Sequence, residues 1–405
     1  MSGWSLVHSR MVDHAWGTKR MNLTIILLAL ATFATGTAEN IIVGILPDVA
    51  VGLGVSLALG GQLTAVFSLT FAVAAPLTLL LAMRIERKRL LLHALGLFIL
   101  SNLLAAGSPN FAVLFVARVG MAGASATVCL IATMLATELV EARLQGRAIG
   151  IIFMGISGSL VFGVPAGIAI SGLAGWRGVF LALALFAAFV LLLAWRYVPA
   201  SGVRRSALPR YLGHLQSLAL LAAQCVSILM IGGHFMLFAY LAPYLMQAAG
   251  LDAKTLVFAF SILGIAGVSG GYLGGWFADR LSPRLALLLT PAAYLLALMA
   301  IPLTKDLPML AFPVMMVWAC ISWMISPVVQ SFLISTGPDT AEAGISLNFS
   351  AMHIGVGLGT ALGGLALEGF GLSVLPWLGA ILAALAVAVS GAALAASARI
   401  RPSFR

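Results

Sequence analysis

The sequence predicts an all-α membrane protein, with twelve transmembrane helices in two pseudo-symmetric six-helix bundles. Three observations carry that expectation. The 405 residues are 62% hydrophobic and only 8% charged, whereas soluble domains carry roughly 25% charged residues. Apolar runs of the ~20 residues that cross a bilayer recur twelve times. The basic residues gather at alternate connections between those runs, as they do in proteins that thread a membrane repeatedly.

The expected spans are 22–46, 60–82, 90–107, 110–137, 147–171, 178–197, 216–246, 254–277, 285–303, 309–335, 342–368 and 374–397, cut at charge clusters and Pro, Gly or Asn turns. The first runs from Asn22 to a stop at Pro47. The second and third are divided by Arg84, Arg87, Lys88 and Arg89. The fourth opens at Asn110, the fifth follows Arg143 and Arg147, and the sixth follows Gly175-Trp176-Arg177. Asp279, Arg280 and Arg284 separate the eighth from the ninth. Of the 22 Lys and Arg residues, Arg177, Lys254 and Lys305 fall on the opposite side and Arg118 falls inside a span. The rest mark one side as cytoplasmic, together with both termini, and an even number of spans requires the same. The net charge of +10 is therefore a topology signal and does not call for nucleic acid as a partner.

Residues 1–20 read as a polar, irregular cytoplasmic tail without the apolar core of a signal peptide, and Met11 and Met21 are alternative starts. Residues 21–197 form the first bundle, 198–216 a Pro- and Arg-rich cytoplasmic linker, 217–398 the second bundle and 399–405 a short tail. Cys129, Cys225 and Cys320 all lie inside spans, so neither a disulfide framework nor a metal site is expected. The chain shows no P-loop, zinc spacing or nucleophile elbow. That argues against an enzyme, an ATP-driven pump and any cofactor. Arg84 and Asp279 stand 195 positions apart, and so do Glu39 and His234. Two parallel six-span repeats with a site at midplane between them describe a secondary transporter.

The motifs agree. Gly275-Trp-Phe-Ala-Asp279-Arg280-Leu-Ser-Pro-Arg284 resembles the cytoplasmic loop motif of the major facilitator superfamily. Arg118 followed by Gly120 and Gly123 resembles its proton-coupling motif. Gly155, Gly158, Gly163, Pro165 and Gly167 resemble the Gly/Pro motif of its exporters. The resemblance covers residues 21 to about 400 and is to the twelve-span drug/proton antiporter branch. Ile85–Arg89, Gly146–Gly155, Gly233-His234, Tyr240–Pro243 and Asn348 are further similar to bacterial purine base and nucleoside efflux proteins. The resemblance implies a monomer of the bacterial inner membrane that exchanges protons for a small-molecule substrate. The substrate is a purine base or nucleoside, or alternatively a drug, chloramphenicol-type compound or sugar. Arg84 stands where the superfamily usually has Asp, so the latch made by that Asp is expected only at Asp279.

Particular residues carry the chemistry. A carboxylate at membrane depth costs about 2.5–3.5 kcal/mol or more, so Glu39 is expected to be paired, protonated or used. It lies about eight residues, roughly 12 Å at 1.5 Å per residue, from Pro47. Arg118 lies at the same depth from Asn110, which makes it the expected partner. His234 is expected to carry a proton or bond a heterocycle, with a neutral ring bonded to a helix carbonyl as the alternative. Asn40, Phe235, Tyr240, Trp318, Trp323, Asn348 and His353 are the candidate substrate contacts, each with packing or interface anchoring as its alternative. Gly163, Pro165, Gly275, Asp279 and Arg280 are assigned to helix packing and gating.

Overall fold

The computed structural model describes residues 3–140, 145–200, 211–248, 250–304 and 308–399. Arg143, Arg204, Arg205, Arg210, Lys305, Arg401 and Arg405 of the charge map lie outside them. All regular structure among the described residues is helical: α1 (Gly3–Leu53), α2 (Leu57–Ala82), α3 (Arg87–Ala106), α4 (Phe111–Glu138), α5 (Gln145–Gly158) and α6 (Val164–Tyr197) come first. A short α7 (Tyr211–Leu215) follows. The second set is α8 (Leu218–Phe238), α9 (Leu241–Ala248), α10 (Ala253–Leu281), α11 (Pro283–Leu303), α12 (Pro308–Thr336), α13 (Ala341–Phe370) and α14 (Leu375–Arg399). Eleven stretches of described helix are long and apolar enough to span a membrane. One of them, Gly150–Tyr197, holds Gly175 at φ 74°, ψ 165°. Glycine adopts that backbone without Cβ strain, and the break makes two spans of one, giving twelve. The chain is a multi-pass membrane protein, and side chains such as Leu173, Leu192 and Leu365 stand exposed on its outer surface.

Several boundaries differ from expectation. The first helix runs from Gly3, through the expected tail, and continues past Pro47 to Leu53. Proline late in a helix removes one hydrogen bond, and packing of α1 against its neighbours holds the rest. The seventh span breaks at Ala239–Tyr240, between α8 and α9. Pro243 explains this, because its ring excludes the carbonyl four residues earlier and it has no N–H to donate. In the fifth span a π-turn covers Ser159–Gly163, ending just before Pro165. The same loss of a backbone donor re-registers the helix there.

The two halves repeat one packing plan. α1 packs on α5 and α6, and α8 on α13 and α14; α2 packs on α4, and α10 on α12; α3 packs on α6, and α11 on α14. Glycines set the distances. A Cβ on Gly155 would lie 2.2 Å from the Ala29 carbonyl, and one on Gly163 2.1 Å from Thr37 Oγ1. In the second half a Cβ on Gly359 would lie 2.1 Å from the Gly232 carbonyl. Without a hydrophobic driving force in lipid, such close backbone approach supplies the packing.

The face bearing the α2–α3 and α10–α11 turns is the basic face; the other, bearing the α1–α2 turn, is the neutral face. At the basic face Arg87, at the start of α3, forms a largely buried ion pair with Glu138, at the end of α4. Asp279 is exposed and makes no ion pair among the described residues, and Arg280 lies over the Trp276 ring at 5.6 Å. The expected latch at Asp279 is thus not made. Water competes for an exposed carboxylate, and the buried charge pair of this region sits in the first half.

Gly155→Leu forces a side chain onto the Ala29 backbone, which cannot yield. Overpacking of this kind costs about 1–3 kcal/mol or more. The expected outcome is loss of monodisperse protein in detergent and a lower Tm, while Gly96→Ala, where a Cβ meets nothing within 4 Å, keeps both.

Candidate functional site

Arg118 is fully buried. Its Nε donates to the Leu63 carbonyl at 3.0 Å, Nη1 to the Ala38 carbonyl, and Nη2 to the Glu39 carbonyl at 3.2 Å. Its guanidinium carbon lies 4.2 Å from the Phe67 ring centroid. The expected Arg118–Glu39 pair is therefore a backbone contact. The reason is local: helix carbonyls keep a second lone pair, and those of α1 and α2 surround the guanidinium. Arg118 ties α4 to both helices and leaves the Glu39 carboxylate unclaimed.

That carboxylate points to the other half. Glu39 Oε1 lies 3.4 Å from His353 Nε2, and the two side chains retain 20% and 13% exposure. Both residues sit near the middle of their spans, Leu23–Leu53 and Ala343–Phe370. The His353 ring is stacked on Phe71 of α2, with centroids 3.9 Å apart and an interplanar angle of 0°. Its Nδ1 lies 2.9 Å from the Phe349 carbonyl. One turn earlier, Ser350 Oγ donates to the Ala72 carbonyl at 3.2 Å. A Cβ on Gly357, one turn later, would meet Leu69 at 2.6 Å. α13 thus lies antiparallel along α2, with His353 inserted between Phe71 and Glu39.

The same seam closes the neutral face. Ser56, the N-cap of α2, donates to Glu368 Oε1 at 3.1 Å. Tyr240, at the break between α8 and α9, is fully buried and donates its hydroxyl to the Thr360 carbonyl at 2.9 Å. A Cβ on Gly61 would lie 2.2 Å from the Tyr240 oxygen, and one on Gly364 2.6 Å from it. The tyrosine is wedged between α2 of the first half and α13 of the second. Tyr240, expected as a substrate contact, is thus packed between the two halves in this arrangement.

The other expected residues divide by burial. Asn40, Phe235, Trp318 and Asn348, like Tyr240, are at most 5% exposed. Trp323 and His353 keep partial exposure. Asn40 donates to the Gly36 carbonyl at 3.0 Å. Trp318 donates to the Tyr294 hydroxyl at 3.0 Å. Asn348 donates to Gln224 Oε1 at 3.0 Å and to Ser227 Oγ at 2.8 Å, so its amide N–H groups are already used. Gln224 in turn donates to the Gly344 carbonyl at 2.9 Å and to the His214 ring at 3.1 Å. His214 belongs to α7, ahead of the seventh span, and its burial lowers its pKa from the ordinary value, favouring the neutral ring that accepts from Gln224.

His234 does not make the helix-carbonyl bond of its alternative reading. Its ring is boxed by Trp318 at 4.5 Å, Phe238 at 4.8 Å and Phe235 at 5.3 Å. Neither ring nitrogen has a hydrogen-bond partner among the described residues. Pseudo-symmetry placed it opposite Glu39, but α8 breaks one turn later, and aromatic packing takes the ring. Gly275, Asp279 and Arg280 lie in the last turns of α10. Gly163 and Pro165 form the π-turn junction against Thr37 of α1. What sequence reasoning missed is Phe71, Ser350 and Ser56, which carry the seam. Their spacing in α2 and α13 carried no charge or motif to flag them.

A polytopic helical bundle of two repeated halves, with a carboxylate and an imidazole meeting at mid-membrane between them, defines a transporter rather than an enzyme. Residues 28–345 match the Major Facilitator Superfamily, and the chain belongs to it. It is 30% identical over 367 residues to the uncharacterized MFS-type transporter YbcL of Bacillus subtilis, covering 90% of this chain and 94% of that one. It is 26% identical over 370 residues to a probable sugar efflux transporter of Mannheimia succiniciproducens, covering 90% and 91%. Its fold matches a bacterial homolog of the human lysosomal transporter Spinster, in an inward-facing and unoccupied conformation, at a TM-score of 0.82 and 18% identity, covering 95% and 99%.

A thiol pair at Ser56→Cys and Glu368→Cys, bridged by a short bifunctional thiol reagent, is expected to lock the neutral face. Transport should stop on bridging and recover on cleavage of a reducible reagent. Bridging that leaves the rate unchanged places these residues outside the moving seam.

Proposed function

We propose that the chain is a proton-coupled exporter of small neutral organic solutes, with purine bases and nucleosides as the leading class. It works by alternating access in the bacterial cytoplasmic membrane, with the basic face and both termini inside, as a single chain. The observation that carries this reading is the partly exposed Glu39 carboxylate at mid-membrane, set against the opposite half. Ionisable groups at that depth are costly, and they mark ion and substrate pathways. Proton binding to Glu39 changes a cross-half contact, which is what coupling to alternating access requires. Arg118 positions Glu39 through the backbone. The excess of Lys and Arg on one face supports the orientation.

The charge of the site supports the substrate class. The buried guanidinium spends donors from all three of its nitrogens on carbonyls, so no described cation meets an anionic solute beside Glu39. A carboxylate and an imidazole suit a neutral solute with N–H or O–H donors. Sugar efflux is the second reading, favoured by the name of one relative and by the same preference for donors. A broad drug exporter uses the same scaffold with less dependence on donors.

Uptake of radiolabelled hypoxanthine, adenosine and a hexose into inside-out vesicles, with and without an acid-inside pH gradient, tests this. Gradient-driven accumulation of the purines alone supports the leading reading, and accumulation of the hexose alone supports the second. If Glu39→Gln accumulates substrate uphill as well as the parent, Glu39 is not the coupling site.

A further inference from the structure

The contact between Glu39 and His353 is short of one proton. His353 Nδ1 faces the Phe349 carbonyl at 2.9 Å. A carbonyl only accepts, so Nδ1 carries the hydrogen. In a neutral ring Nε2 is then a bare acceptor. It lies 3.4 Å from Glu39 Oε1 and has no hydrogen-bond partner among the described residues. An ionised carboxylate also only accepts, so two lone pairs face each other. Turning the ring over is no escape, since it sets carbon against both oxygens. The ring has little freedom to retreat, being stacked on Phe71 and held by the neighbouring Ser350–Ala72 bond. One proton on either atom turns the contact attractive, as imidazolium against carboxylate or as carboxylic acid donating to Nε2.

We propose that Glu39 and His353 bind one proton jointly, and that this proton holds the halves together in the arrangement closed at the neutral face. The proton comes from water and forms one N–H or O–H bond; its return to water leaves the two acceptors opposed and frees α13 from α1 and α2. The other ionisable groups nearby are few. Arg118 of α4 lies behind Glu39 on the carbonyls of α1 and α2, and Cys129 of α4 faces α1 through Thr35 at 3.6 Å. His234 of α8 is enclosed by its aromatic box. Glu368 of α13 lies at the neutral end of the seam on Ser56. The place of the pair in a cycle rests on the export reading. A proton arriving at the parted neutral face closes it, and loss of the proton on the basic side favours reopening outward with solute.

The test needs no substrate. Spin labels at Val51→Cys and Phe370→Cys, exposed positions at the neutral ends of α1 and α13, report the separation of the halves. They are placed in a background with Cys129, Cys225 and Cys320 replaced by Ser, reconstituted in lipid nanodiscs. Raising the pH is expected to move the parent from the short to the long distance, the ratio changing about tenfold per pH unit for one proton. Glu39→Gln, whose amide donates to a neutral Nε2 through N–H or accepts from a protonated one through its oxygen, is expected to hold the short distance throughout. His353→Gln, which brings its own donor to the carboxylate, is expected to lose the response. Glu368→Gln is expected to retain it.

A flat pH response in the parent, an unchanged response in Glu39→Gln or His353→Gln, or a slope of two protons overturns the shared proton. Absence of gradient-driven uptake in vesicles sinks the export reading and leaves this result standing. A flat distance response sinks the pair and leaves export untouched.

Discussion

A guanidinium inside a helical bundle has to be met by protein, because no water is there to meet it. The effective penalty for burying one ion is several kcal/mol. Arg118 meets it with three carbonyl bonds, at about 1.5–3 kcal/mol each for bonds to a charged group. The two sides are of similar size, so the arrangement adds little net stability. What it provides is position. The carbonyls of Ala38 and Glu39 on α1 and of Leu63 on α2 are drawn to one point on α4, and the Cα of Glu39 is fixed with them. Its carboxylate, released from Arg118, is left to face the second half.

The rest of the seam follows from that placement. α2 and α13 lie antiparallel, and each contact along them sets the register of the next: Ser56 with Glu368, Gly61 and Gly364 around Tyr240, Leu69 on Gly357, Phe71 on His353, Ala72 with Ser350. In this series the Glu39–His353 contact is the one that the proposed proton would turn from opposed acceptors into an attraction. The others are apolar or hydroxyl contacts, with the exposed Glu368 at the neutral end. Glycine gives the seam its shape, since a Cβ at Gly61 has no room beside the Tyr240 hydroxyl. The tyrosine is there because Pro243 breaks the helix four residues after Ala239 and releases the turn that carries it.

The fold was legible in the sequence because it rests on coarse quantities. Run length fixes spans, the distribution of Arg and Lys fixes alternation, and the glycines of 155–167 mark close approach. Glu39 and Arg118 stood out for the same reason, as charges where charge is costly. The site was legible only in part. Depth along a helix follows from residue counting, but azimuth does not, and azimuth decides whether a side chain meets the cavity, a neighbour or lipid. Asn348, Trp318 and His234 lie at suitable depths and turn into packing. His353 stands out for its chemistry, but its pairing with Glu39 does not, because the contact joins residues 314 positions apart in different halves. The internal repeat pointed to His234 as the counterpart of Glu39. The halves share a plan of helices, and the repeat does not extend to the roles of single side chains.

If Glu39 and His353 share a proton as proposed, the direction of coupling follows from where it binds. In the arrangement described, the neutral face is shut by the seam while the Glu39–His353 contact is made, so under the proposal closure of that face and occupancy by the proton go together. A solute that donates a hydrogen bond to Glu39 satisfies the carboxylate as the proton does, but it also occupies the space between the carboxylate and His353. Proton and solute therefore satisfy the same acceptor and differ in whether the halves can close over it. A ligand shifts an equilibrium only by its differential affinity for the two states. A proton, which has no bulk, favours the closed seam, and a solute as large as a purine favours the open one. On the proposed reading, exchange of one for the other across the membrane would be antiport, and it would need no device beyond this single contact.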